Sequence, residues 1–189
     1  MPMSSRIYFA SSNRHKFEEA KSILAGFGLD LKFYRCSLEE VQDERLEKIA
    51  RHKAREAYSM ISKPVIVEDV GLFISSLKGF PGPYSSYVFD TLGNKGLLKL
   101  VSRDRTARFR SVIAYCGARD RVMLFSSNVR GRIAGREKGS RWGYDPIFIP
   151  EGHSLTYSQI PDKNLISHRY LALRKFANWY LHTRKSVGP

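Results

Sequence analysis

Between Ile7 and Val67 the apolar residues switch repeatedly between strand-like runs and helix-like spacing, which restricts the chain to folds where strands and helices alternate. Ile7 to Ala10 reads as a short buried strand. After a polar turn, Phe17, Ala20, Leu24 and Phe27 recur at intervals of three and four, the pattern of an amphipathic helix that Gly26 and Gly28 stop. Leu29, Leu31 and Phe33 alternate with polar residues as in a half-buried strand. Leu46, Ile49, Ala50, Ala54, Ala57 and Ile61 form a second helical stripe that ends before Pro64, and Val65-Ile66-Val67 makes another short strand.

From Arg108 the period changes. Phe109, Ile113 and Tyr115 fall in one strand, Asp120 lies in a turn, and Val122 to Arg132 reads as the returning partner, so this half predicts antiparallel hairpins. A closing helix carries Leu173, Phe176, Ala177, Tyr180 and Leu181 on one face, and a short basic end follows Leu181. The sum is α/β with a mixed sheet, over 1–189 as one domain, with a cleft between the two halves as the natural site.

Two cysteines, Cys36 and Cys116, are too few for a disulfide framework or a cysteine zinc site, and the five histidines lack metal-ligand spacing. No apolar stretch reaches the length of a spanning helix and no signal peptide is visible, which predicts a cytoplasmic protein. Phosphate-loop, G-x-S-x-G, H-E-x-x-H and C-x-x-C motifs are absent. The formal charge of +14 calls for an anionic partner.

The placement of that charge narrows the partner. Arg14, His15 and Lys16 fall in the first turn of the first helix, where the macrodipole already disfavours cations. Ser11, Ser12 and Asn13 add short polar groups before it, so the loop suits phosphate, although Ser12 or Asn13 as a plain N-cap explains the residues equally well. Lys163, His168 and Arg169 surround Ser167 in the same way at the start of the last helix. Glu68 and Asp69 follow directly on the strand PVIV and read as lying at its C-terminal end, where α/β sheets bind ligands. Such paired acids suit Mg²⁺, with Glu40 as a further ligand; capping or salt bridging is the alternative for Glu68 and Glu40. Gly79 to Val88, GFPGPYSSYV, reads as a rigid loop, either a wall of a binding site or a turn that packs Phe80 and Tyr84 into the core. Trp142-Gly143-Tyr144-Asp145-Pro146 sets two aromatics beside a carboxylate, a means of stacking on a base and accepting from its N–H edge, or else a core corner.

Taken in order, these segments resemble the inosine/xanthosine triphosphate pyrophosphatase family along nearly the whole chain. SSNRHKFEE is similar to that family's T-G-N-x-x-K-x-x-E opening, and VEDVGLFISSLKGFPGPYSSYV to its V-E-D-S-G-L…G-F-P-G-P-Y-S block. GSRWGYDPIFIP resembles its G-x-x-F-G-Y-D-P-I-F segment, and KNLISHRYLALRKF its closing K-N-x-I-S-H-R-x-x-A-L. The resemblance implies an elongated mixed sheet flanked by helices, with two lobes and a central cleft, commonly as a homodimer. It implies Mg²⁺-dependent cleavage of non-canonical purine nucleoside triphosphates (ITP, dITP, XTP) to monophosphate and pyrophosphate. Carried over by position, it assigns phosphate binding to Ser11, Ser12, Asn13 and Lys16, with charge from Lys53 and Lys163, and magnesium to Glu40 and Asp69. Asp69 is also implied as general base, and Trp142, Gly143, Tyr144, Asp145, His168 and Arg169 as the base pocket.

Three positions depart from the family pattern. Ser12 stands where Gly is usual, Trp142 where Phe is usual, and Val70 where Ser is usual, which leaves only the Val70 backbone N–H as a substrate contact. Two other readings compete: a basic RNA- or DNA-binding module, and a pyrophosphatase for other modified nucleotides; the preferred reading expects no specific nucleic-acid and no membrane partner. Against the first, the cations singled out above gather at helix starts and form no continuous stripe.

Overall fold

Asn13 sets where the first helix begins: extended at φ −92°, it accepts the Lys16 backbone N–H on Oδ1 at 3.1 Å. The computed structural model describes residues 6–101, 103–118 and 121–185. Helix α1 runs Arg14–Ala25 and follows strand β1, Ile7–Ser11. It buries Phe17, Ala20, Ile23 and Leu24, the expected stripe, while Phe27 lies just beyond its end. Strand β2, Leu31–Arg35, starts after Leu29 and pairs parallel with β1; helix α2, Leu46–Ile61, leads into strand β3, Val65–Ile74, on the other side of β1.

The remaining elements are β4 (Pro81–Gly82), α3 (Ser85–Leu100), β5 (Thr106–Ala118), β6 (Arg121–Ile133), β7 (Phe148–Pro150) and α4 (His168–Lys185). Together they make a seven-stranded mixed sheet in the order β2-β1-β3-β5-β6-β7, with β4 antiparallel to β3. The turn expected at Asp120, and the last residues of the basic end beyond Leu181, lie outside the described residues.

The chain divides into two compact units. The first takes residues up to Asp69, Val112–Ser127 and the chain from Arg169; the second takes Val70–Ser111 and Asn128–His168. Each has its own core. In the first, Phe9, Phe17, Leu24 and Ile66 pack with Leu173 and Phe176 of α4. In the second, Leu72, Leu97, Phe109, Phe148 and Tyr157 cluster, with the Phe109 and Phe148 rings edge-on at 4.9 Å.

Two expectations are corrected. Strand β3 does not stop at Val67 but continues to Ile74, so Glu68 and Asp69 sit in mid-strand. Gly71 reads as a stop, yet it serves close approach: a Cβ there would stand 2.7 Å from the Gly82 carbonyl oxygen and 2.7 Å from the Phe73 ring. The loop expected over Gly79–Val88 holds strand β4 and the first turn of α3, and Phe80 and Tyr84 are exposed, 38% and 46%, instead of packed in the core. Ser12, which stands where Gly is usual, needs none of glycine's conformational freedom, because Ser62 and Lys78 are the non-glycine residues with positive φ among those described.

The same close-approach logic yields a test. At Gly131 of β6 a Cβ would meet the Ile149 carbonyl oxygen at 2.2 Å and the Phe148 ring at 2.7 Å, whereas Gly135 has nothing within 4 Å. Gly131→Ala is expected to lose about 1–3 kcal/mol in urea unfolding, and Gly135→Ala less than about 0.5 kcal/mol.

Candidate active site

Successive residues of a strand point to opposite faces of the sheet, and in β3 this separates the two acids. Glu68 turns to Arg169, whose Nε donates to its Oε2 at 2.8 Å; Nη1 of the same guanidinium donates to Glu19 of α1. Arg169 and Glu68 are almost wholly buried, so each is the other's compensation for leaving water. Burial opposes the charge on Arg169, but Glu68 and Glu19 more than offset it and hold the guanidinium above its ordinary pKa. Glu68 is therefore a structural ion-pair partner, the alternative left open by the sequence. Glu19, the closing acid of the opening motif and three residues after Lys16 on the same helical face, carries no role in the sequence reading.

Asp69 turns the other way. Its Oδ1 accepts from Lys53 Nζ of α2 at 2.8 Å, and the same ammonium reaches Oε2 of Glu40 at 2.7 Å. Asp69 Oδ2 is buried without a hydrogen-bond partner. Burial pushes the Asp69 carboxyl above its usual pKa, against the pull of Lys53 and Lys16. Burial likewise pulls Lys53 down, but Asp69 and Glu40 overcome it and raise the ammonium above its usual value. Lys16 is lowered, chiefly by burial, with Glu68 and Asp69 opposing. Before it, Ser11 Oγ accepts the Asn13 backbone N–H at 3.0 Å, and Ser12 is exposed. The first unit thus brings Ser11, Asn13, Lys16, Glu40, Lys53, Asp69 and Arg169 into one region of its fold.

The other expected residues belong to the second unit. Lys163 Nζ donates to Asp145 Oδ2 at 2.7 Å, with both side chains buried, so Lys163 neutralises Asp145 there. The Lys163 ammonium also lies 5.9 Å from the ring centre of half-buried Trp142. Tyr144 is 5% exposed, edge-on to Phe89 at 5.3 Å, and donates its hydroxyl to the Ser85 carbonyl at 2.8 Å. The ring belongs to the core cluster of this unit, tilted against Phe109 at 6.4 Å. His168 lies flat on Phe109 at 4.3 Å, and Val70 packs against the same core. Gly143, at φ 66°, lends its carbonyl to Asn94 Nδ2 at 3.0 Å. Ser85 and Asn94 hold this turn in place; Ser85 falls in the segment expected as a loop, and Asn94 in a stretch for which the sequence pattern predicts no element.

Chemically, the first unit offers a carboxylate oxygen with spare accepting capacity, with Lys53 of α2 bonded to its other oxygen and Lys16 at the N-terminus of α1. The second offers a buried carboxylate bonded to its own lysine. Fold and clusters define a mixed α/β protein equipped for phosphate-bearing ligands.

The chain belongs to the Ham1 family, whose profile matches residues 7–179. A dITP/XTP pyrophosphatase of Methanopyrus kandleri is 47% identical over 180 residues, 93% of this chain and 96% of that protein. One from Hyperthermus butylicus is 46% identical over 188 residues, 97% of this chain and 96% of that protein. Among solved structures, a HAM1 protein from Coxiella burnetii superposes with a TM-score of 0.79 at 29% identity, covering 94% of this chain and 98% of that one.

The buried pair separates stability from chemistry. Glu68→Gln leaves Arg169 under-compensated and is expected to cost about 3–5 kcal/mol in urea unfolding. Lys32→Gln, which breaks the half-exposed pair with Asp30, is expected to cost less than about 1 kcal/mol.

Proposed function

We propose that this chain hydrolyses non-canonical purine nucleoside triphosphates (ITP, dITP and XTP) to the monophosphate and pyrophosphate. The observation that carries the reading is Asp69 Oδ2, a buried carboxylate oxygen without a partner, in the field of Lys53 of α2 and of Lys16 in the first turn of α1, a helix whose free N–H groups can meet phosphate. The names of the relatives, dITP/XTP pyrophosphatase, point the same way.

The donor set fits a divalent cation. Among the described residues no three His, Cys, Asp or Glu side chains converge as a cage, but Asp69 Oδ2 and the exposed Glu40 supply two hard oxygens. Mg²⁺ takes one or two carboxylates and completes its shell with water and substrate phosphate oxygens. When bound, it neutralises charge on the phosphates. Asp69 positions the attacking water and takes its proton. Lys16, Lys53, Ser11, Ser12 and Asn13 hold the triphosphate, and the Val70 backbone N–H adds a donor. Arg169 acts through Glu68, fixing the strand that carries Asp69.

In the second unit, Asp145 accepts the N1–H that a 6-oxopurine presents and adenine lacks, while Lys163 holds its other side. Trp142 supplies a stacking face. Tyr144 and Gly143 fix the turn, and His168 closes it against Phe109.

Strands β3, β5 and β6 each give residues to both units, so the chain works as one domain. Exposed Tyr84, Tyr87 and Leu92 on and before α3 support a homodimer. Two free cysteines, and no helix among the described residues long and apolar enough to cross a membrane, suit the cytoplasm.

Reaction of ITP in ¹⁸O-water is expected to label the monophosphate; orthophosphate and a diphosphate as products would refute the reading. The parent is expected to prefer ITP over ATP in kcat/KM, and Asp145→Asn to reduce that ratio at least about tenfold, the scale of one hydrogen bond to a charged group. An unchanged ratio would remove Asp145 from base recognition.

A further inference from the structure

The second unit holds a cavity of about 850 Å³ that none of the residues assigned above to substrate lines. Its cations are Lys78, Arg108, Arg130, Arg132 and, when protonated, His153, against a single carboxylate, Glu151. All six are exposed, and among the described residues neither Lys78 nor any of the three arginines forms an ion pair. Strand alternation creates the array. Arg108 stands out between buried Ala107 and Phe109 on β5, and Arg130 and Arg132 stand out on either side of Gly131 on β6. The sequence hid this stripe by interleaving it with apolar residues on separate strands. Arg108 also lies over the Phe73 ring, 5.0 Å from its centre, so an aromatic lies in the floor of the same groove.

Like charges this close, with no carboxylate bound to them, cost free energy unless something anionic shares the site. A second copy of the chain is a poor occupant. A two-fold contact would set this patch against itself, and the whole molecule carries +14. An anionic membrane is flat, whereas this surface is a concavity of about 850 Å³ lined from both β5 and β6. Arginines at alternate strand positions stand about 6.6–6.8 Å apart along the chain, a spacing suited to successive charges of an extended polyanion. We propose that the groove binds the phosphate backbone of single-stranded nucleic acid without reading its sequence, as a site additional to the nucleotide-hydrolysing centre.

The test uses the full-length protein and a fluorescein-labelled single-stranded DNA of mixed sequence, titrated by anisotropy at several salt concentrations. The double substitution Arg130→Gln/Arg132→Gln is compared with Lys21→Gln/Arg55→Gln, which removes the same charge from exposed positions of the first unit. The groove variant is expected to bind about tenfold more weakly near 0.15 M salt. Its slope of log affinity against log salt should fall by about 1.4, two phosphate contacts' worth for a single strand. The control should change less than about twofold, and ITP hydrolysis should be unchanged in both. Equal losses in the two variants would overturn the proposal, showing attraction by net charge alone. So would absence of binding by the parent, or full displacement of the DNA by equimolar tripolyphosphate, which would mark a site for a small anion. Groove-dependent binding of phosphatidylserine vesicles without groove-dependent DNA binding would overturn it too, in favour of a membrane surface.

Discussion

Strand β3 carries two adjacent acids into the interior, and burying their charge constrains the rest of the first unit. Because strand neighbours face opposite ways, each acid takes its own hydrogen-bonded cation. The chain answers with Arg169 at the start of α4 for Glu68 and Lys53 in the middle of α2 for Asp69. Each compensating residue fixes the position of its helix against the sheet. Glu19 of α1 then meets the remaining side of Arg169, so three helices are tied to one strand through charge. The two halves of this arrangement are unequal. Glu68 is consumed by its guanidinium, whereas Asp69 keeps one oxygen unspent. That inequality separates a residue that holds the fold from one available for chemistry.

The second unit solves a similar problem once. Asp145 is buried with Lys163, and the turn around it is held by polar groups of α3: Ser85 carries the Tyr144 hydroxyl, and Asn94 holds the Gly143 carbonyl. The turn is fixed before any ligand arrives, which is what discrimination by a hydrogen bond requires. The uncompensated cations of this unit lie elsewhere, on the exposed positions of β5 and β6.

The alternation of β1, α1, β2, α2 and the start of β3 was legible because the apolar period changes from element to element and Gly26, Gly28 and Pro64 mark two of the breaks. Asn13 as a cap and the cations of the first turn were legible for the same local reason. Helix α3 was not, since Gly93 breaks it with φ 62° and ψ −175° and its start is crowded with Gly and Pro. The end of β3 was misplaced because Gly71 looks like a terminator until its neighbour Gly82 is known. The partner of Glu68 lies 101 residues away, and no spacing rule reaches that far. The carboxylates of the site could thus be picked out from the sequence, but the division of labour between Glu68 and Asp69 required the strand to be placed. The resemblance named Asp145 and Lys163 without revealing that they pair.

The account turns on Asp69 being the working carboxylate, and Asp69→Asn tests it most directly, since the substitution keeps the shape and leaves Lys53 paired with Glu40. Turnover of ITP at saturating Mg²⁺ is to be measured alongside circular dichroism and thermal unfolding of the same preparation. The account predicts a folded protein whose turnover falls by about two orders of magnitude or more. A folded Asp69→Asn protein with turnover close to that of the parent would contradict it.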